Sequence, residues 1–272
     1  MTSASFPGFP SHEALFRLDG RTAFVSGAAG HLGRAMSIAL AQAGAHVILN
    51  GRTASKLEAL RGELADAGLS ASVAAFDVMD REAAGGFFRG LERLDALVNN
   101  AITGLPQKDD NSGLGAFRTS LESGLTASFD NINAAMGALE AAVASAGQAS
   151  VINIASIYGH VSPTFKVYGD SGLNSPPQYS AVKGGLLQLT RYMACQLAPK
   201  RIRVNTLSPG IFPWDNVAKD FPDFVRRVSE TSPMGRPGLA EEIGGPAVFL
   251  ASDASSYMTG ADLRIDGGWV AQ

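Results

Sequence analysis

The sequence predicts a single α/β domain built on a doubly wound parallel sheet. Three observations predict it: short β-rich runs alternate with longer stretches of helical periodicity, 272 residues suffice for one large core, and no low-complexity block, charge run or internal repeat divides the chain. Glycine and proline recur as punctuation between apolar segments and never gather into a linker.

In chain order, Thr22 to Ser26, His46 to Asn50, Ser72 to Phe76, Ala96 to Asn99, Ser150 to Ala155, Arg203 to Leu207 and Asp262 to Ile265 read as strands. Helical periodicity fills the gaps at Leu32 to Ala43, Ser55 to Ala67, Arg81 to Leu91, Thr119 to Ser145, Gln178 to Leu197 and Ala240 to Ala251. Strands separated by helices cannot pair as hairpins, so they run parallel through right-handed crossovers with helices on both faces. In such a sheet ligands bind beyond the carboxyl ends of the strands. One domain over residues 18–272 follows, preceded by an N-terminal extension over residues 1–17.

A formal net charge of −3 with 17% charged residues gives no electrostatic case for nucleic acid or an anionic membrane and favours a small-molecule partner. The start, MTSASFPGFPSHEALF, lacks the basic flank and apolar run of a secretory signal, and no later stretch is long and apolar enough to span a bilayer, so a cytoplasmic protein is expected. Its one cysteine, Cys195, cannot form an internal disulfide and reads as a packing residue. His12 and His46 stand in no cluster with carboxylates or cysteine, so no metal site is expected.

The first strand runs into GAAGHLG and then into an apolar-periodic helix. A glycine turn at that junction lets the backbone approach a pyrophosphate, whose charge the helix N-terminus favours; Gly27, Gly30 and Gly33 are its glycines. Where the second strand ends, a carboxylate would bind the adenosine ribose and repel a 2′-phosphate. The chain has Gly51 and Arg52 there, and a guanidinium pairs with phosphate, so NADP(H) is preferred and NAD(H) is the second choice.

Tyr179 and Lys183 stand four apart in a helical segment and share a face. A phenol is a poor base at neutral pH, and a neighbouring ammonium is expected to lower its pKa, so that Tyr179 exchanges a proton with a carbonyl oxygen as hydride moves. Ser156, at the end of the apolar strand SVINIAS, is placed to steady the developing oxyanion.

In these motifs the chain resembles the short-chain dehydrogenase/reductase family, a Rossmann-type fold, from about Leu18 to the end. The likeness also includes Asp77-Val78, Asn99-Asn100-Ala101, IRVNTLSPG at Ile202 to Gly210 and the tail LASDASSYMTGADLRIDGG. It implies that Gly27, Gly30, His31, Leu32 and Gly33 form the phosphate turn, that Asp77 and Val78 border the adenine, and that Asn99 and Ala101 line the cofactor. It further implies that Lys183 binds the nicotinamide ribose, that Pro209, Gly210 and Ile211 flank the nicotinamide, and that the chain forms a homotetramer through its long central helices and C-terminal strand region. Three positions depart from the family pattern: His31 replaces the middle glycine, Ile102 replaces the glycine after Asn-Asn-Ala, and Gly124 falls where a helical asparagine holds a water in the proton relay. A water, Asn131 or Asn133 is the expected substitute for that asparagine.

The segment between Ser156 and Tyr179 is about ten residues longer than usual in the family, and its His160, Lys166, Tyr168, Asp170 and Asn174 supply hydrogen-bonding groups for a substrate. After Gly210, IFPWDNVAKDFPDFVRRVSE is similar to the family's lid, with Trp214 and Phe212 placed to close over the nicotinamide. The expected reaction is hydride transfer to or from a polar small molecule, as in gluconate 5-dehydrogenases. The alternatives are a 3-oxoacyl-carrier-protein reductase and a catalytically weak NADPH-binding sensor or scaffold.

Overall fold

The computed structural model describes residues 8–103 and 113–272; residues 1–7 of the expected extension lie outside them. The elements are α1 (His12–Phe16), β1 (Thr22–Val25), α2 (His31–Gln42), β2 (His46–Gly51), α3 (Ala54–Asp66), β3 (Ala71–Ala75), α4 (Arg81–Arg89) and β4 (Ala96–Asn99). They continue with α5 (Leu114–Leu121), α6 (Ala127–Ala134), α7 (Met136–Ala146), β5 (Ala149–Ile154), α8 (Pro177–Leu197), β6 (Ile202–Pro209), α9 (Asp215–Asp220), α10 (Pro222–Thr231), α11 (Gly244–Ala251) and β7 (Asp262–Ile265). The seven strands form one sheet in the order β3-β2-β1-β4-β5-β6-β7, and every pair is parallel. The order reverses between β1 and β4, which fixes the crevice where a ligand fits.

The sequence builds the two faces separately. Met36 and Leu40 of α2, Leu57, Leu60 and Leu64 of α3 and Leu250 of α11 cover one side of the sheet; Phe88 of α4, Ile132, Leu139 and Met193 cover the other. Each such fully buried side chain contributes about 1.5–3 kcal/mol. Both β5 and β6 are buried along their whole length, as strands sandwiched between helices must be, so β6 hides Arg203, Asn205, Thr206 and Ser208 together with its apolar residues, and each of those polar side chains is hydrogen-bonded. In α8 the buried positions Val182, Leu186, Leu187, Thr190, Met193, Ala194 and Leu197 recur at the spacing of one helical face, with Pro177 opening the first turn.

The expected uninterrupted helix from Thr119 to Ser145 is three helices. After α5 comes a π turn at Glu122–Thr126, and a further break separates α6 from α7 at Ala135. Gly124 sits in the π turn, and Ser128 Oγ donates to its carbonyl at 2.9 Å, a side-chain bond that competes with the helical ladder. The helix expected over Ala240 to Ala251 opens as a 3-10 turn at Ala240–Ile243. Cys195, expected to pack inside, is exposed on α8. No helix among the described residues is long and apolar enough to cross a membrane.

Candidate active site

A cleft of about 500 Å³ runs across the carboxyl ends of the strands from Arg52 to Tyr179 and Lys183. Its floor is the glycine turn. Gly27 has φ 64°, and a Cβ on Gly33 would stand 2.1 Å from the Gly27 carbonyl, so the turn closes on itself with no room for a side chain. Asn100 Nδ2 donates to the Ser26 carbonyl at 2.8 Å while Ser26 Oγ accepts the backbone N–H groups of Asn100 and Ala101 at 2.8 and 3.0 Å, which fixes the turn to the segment after β4. The N-cap of α2 is Gly30, with no side-chain cap and no acidic residue in the first turn, so the amide end of the helix faces the cleft open to an anion.

At the far end the structure brings Arg52, Asp77 and Val78 to the cleft wall. Arg52 is 63% exposed and its guanidinium stands 4.0 Å from the Asp77 carboxylate. At the opposite end, Lys183 is buried and its Nζ donates to the Ile154 carbonyl at 2.5 Å. Ser156, also buried, hydrogen-bonds Tyr179 and accepts the Tyr158 N–H at 3.2 Å. These groups meet because Gly159 has no side chain: a Cβ there would stand 2.8 Å from the Lys183 carbonyl carbon, so the segment after β5 lies directly on the α8 backbone. The sequence reading passed over Gly159.

The electrostatics differ from expectation. Burial pushes the Tyr179 phenol above its ordinary range, with the neighbouring Tyr168 adding to the rise and the Ser156 hydrogen bond opposing it. Burial also pulls the Lys183 ammonium down to about 8. The two residues share a helix face, yet Lys183 Nζ lies 5.5 Å from the centroid of the Tyr179 ring and spends a hydrogen bond on Ile154. Desolvation therefore outweighs the lowering expected from the ammonium, and at neutral pH Tyr179 holds its proton as an acid.

Behind these residues runs a buried amide chain. Asn99 Nδ2 donates to Asn153 Oδ1 at 2.9 Å, Asn153 Nδ2 donates to Thr190 Oγ1 at 2.8 Å, and Asn131 Nδ2 donates to Asn99 Oδ1 at 3.2 Å. Asn99 is thus part of the wall's support and not of its surface. Asn131 is committed to it, and Asn133 is exposed and donates to the Phe129 carbonyl at 3.1 Å, so neither reaches Tyr179 or Lys183 by a hydrogen bond. The place of an added Gly124 Cβ is filled: it would stand 2.5 Å from Val182 Cγ1 and 3.3 Å from Ile102 Cδ1. The departures at positions 102 and 124 are therefore two sides of one packing contact.

Among the other expected residues, Ala101, Pro209, Gly210, Phe212 and Trp214 border the cleft. Ile211 instead packs in the cluster beneath the lid with Val228 and Trp269. His160 does not face the cleft; its Nε2 lies 2.9 Å from Asp262 Oδ2 on β7. Tyr168 is buried, stacks on Phe224 of α10 at 5.7 Å and meets the Tyr158 hydroxyl at 3.2 Å, so it packs under α10 more than it lines a pocket. Burial, with Tyr168 beside it, raises the Tyr158 phenol far above its usual range. Among the described residues no three His, Cys, Asp or Glu side chains gather in a metal-binding group.

Known proteins resemble the chain along most of its length. A family model described as enoyl-(acyl carrier protein) reductase matches residues 27–270. The chain is similar to a gluconate 5-dehydrogenase of Gluconobacter oxydans (strain 621H), 33% identical over 274 residues that cover 95% of this chain and 98% of the relative. It is also similar to a galactitol 2-dehydrogenase (L-tagatose-forming) of Cereibacter sphaeroides, 33% identical over 266 residues that cover 95% and 98%. Among solved structures, that of a putative NAD(P)-dependent gluconate 5-dehydrogenase from Beutenbergia cavernae with bound NADP at low occupancy superposes with a TM-score of 0.81 at 34% identity, covering 95% of this chain and all of that one.

Proposed function

The chain belongs to the short-chain dehydrogenase/reductase family and acts on alcohol or ketone groups, and on that premise we propose that it moves a hydride between NADP(H) and a carbonyl or secondary alcohol of a polyhydroxylated small molecule. One observation carries the reading. A single cleft joins an uncapped helix N-terminus and an exposed guanidinium at one end to Tyr179, itself hydrogen-bonded to the buried Ser156, at the other.

The residues fit a phosphorylated dinucleotide. The side-chain-free turn at Gly27, Gly30 and Gly33, with the first amides of α2 at His31 and Leu32, suits a diphosphate; the exposed Arg52, held only by a 4.0 Å contact with Asp77, suits a 2′-phosphate. Asp77, Val78 and Ala101 would border the adenosine half, and Lys183, Pro209 and Gly210 the nicotinamide half. Bound there, the nicotinamide supplies or accepts the hydride. In the reducing direction Tyr179 gives its proton to the substrate oxygen while Ser156 donates a hydrogen bond to that same oxygen. A protonated Lys183 then stabilises the phenolate left on Tyr179. In the oxidising direction the same proton returns to Tyr179.

The polyhydroxylated class is supported by the activities for which the two relatives are named, on gluconate and galactitol. The family model's description favours a carrier-bound thioester as the second reading. Following NADPH absorbance across keto-sugar acids, ketoses, diketones and oxoacyl thioesters tests both: turnover is expected on the hydroxylated ketones, and turnover on thioesters alone would overturn the assignment. NADPH binding with no turnover at all would leave a sensor or scaffold. The same resemblance supports a homotetramer, and exposed Phe129 and Tyr192 on α6 and α8 are apolar surface that such an assembly would cover. Light scattering at the mass of one chain would refute it.

A further inference from the structure

We propose that the His31 side chain is a positioning residue: stacked on Trp214, it fastens the lid to the glycine turn, so that the lid settles as the cofactor's phosphates settle. The proposal rests on the dinucleotide reading above. His31 is the first residue of α2, and its own backbone belongs to the amide end that a diphosphate would occupy. Its ring lies 5.0 Å from the Trp214 ring with 26° between the planes, a stacked pair. Trp214 in turn is the N-cap residue of α9, the first helix of the lid, and is 54% exposed. Hence an otherwise open indole is held on one face by a residue of the phosphate turn.

A second contact runs along the same path. The imidazole donates to the Pro213 backbone carbonyl, while Nε2 is buried with no hydrogen-bond partner among the described residues. The charges facing the ring are Asp215 on α9 and Glu241 on the 3-10 turn before α11; both favour the imidazolium, but burial outweighs them and draws the pKa down. Arg34, one turn further along α2, is ion-paired with Glu63 and does not compete. The ring therefore stays neutral and presents its face to the indole. His31 and Trp214 both border the cleft on one side and a second groove, between α2 and Ala240, on the other, so the pair forms the wall between them. A glycine at position 31 would offer no such wall.

The experiment needs no substrate. Trypsin cleavage after Lys219, in α9, reports whether the lid is held, and calorimetry reports NADP+ binding separately. The parent chain is expected to bind NADP+ and to be cleaved more slowly with it. That protection should shrink by about 2- to 10-fold in His31→Ala and in Trp214→Ala, the range of an aromatic stack, and should return in His31→Phe, which restores a ring without its nitrogens. A second readout is Trp214 emission in a Trp269→Phe background, whose response to NADP+ should be lost with His31→Ala and recovered with His31→Phe. Equal protection in His31→Ala and the parent, or no recovery in His31→Phe, would overturn the proposal. Failure of the parent to bind NADP+ would instead bring down the cofactor assignment, and this proposal with it.

Discussion

The two ends of the cleft are built from opposite materials. At the end proposed for the adenosine half stand backbone amides and the charged pair Arg52 and Asp77, 63% and 30% exposed. At the chemical end Ser156 and Lys183 are each only 4% exposed, backed by the buried chain Asn131, Asn99, Asn153 and Thr190. Water screens a charge at the first end, so exchanging it costs the fold little. At the second end burial sets the proton affinities, and every ionisable group placed there is held against the stability of the chain.

The sharpest way to break that comparison is at Tyr179. Tyr179→Phe keeps the ring and its packing but removes the proton, and kcat/KM is expected to fall by about 10²- to 10⁴-fold with NADP+ affinity retained; a loss below tenfold would show that the acid lies elsewhere. Next comes the exposed end. Arg52→Asp should shift the NADPH-to-NADH ratio of kcat/KM toward NADH by roughly 10- to 100-fold, the worth of a charge-assisted hydrogen bond and the repulsion that replaces it. Its stability should stay within about 0.5 kcal/mol of the parent, and a large drop in Tm would contradict the screened character of this end.

Lys183 gives the most direct measure of burial. Its folded-state value near 8 lies below its ordinary 10.5, so the folded chain sheds the proton first. Below pH 8 the full penalty for a buried ammonium is present, and it fades as pH rises from about 8 toward 10.5, where the unfolded chain also loses its proton. Lys183→Met removes the penalty and the Ile154 hydrogen bond together. The variant is expected to be inactive yet more stable at pH 7 by on the order of 1–3 kcal/mol, with the gain narrowing above pH 8. A variant less stable than the parent at pH 7 would mean that the hydrogen bond outweighs desolvation.

What the sequence made legible was local. The alternation of strands and helices, the glycine turn between β1 and α2, and the shared face of Tyr179 and Lys183 all depend on residues a few positions apart, and the sheet follows them. What it hid depends on partners far along the chain. His160 looks like a free hydrogen-bonding group in a loop until Asp262, on the last strand, takes it; Tyr168 looks available until Phe224 stacks over it. Periodicity also could not reveal the π turn at Gly124, because the apolar pattern continues through it while Val182 and Ile102 fill the space from other elements. Spacing puts Tyr179 and Lys183 on one helix face but says nothing of the depth at which the pair lies, and depth decides the direction of both shifts.

Gly159 carries a consequence of its own. The separation between the hydroxyl pair and the lysine is set by two backbones touching, with a hydrogen atom where any other residue would bring a carbon. The reactive geometry of this protein thus has a spacer that takes no part in chemistry. A single methyl at that point would pry the loop from the helix and leave a chain that folds, carries every reactive group, and holds them out of step.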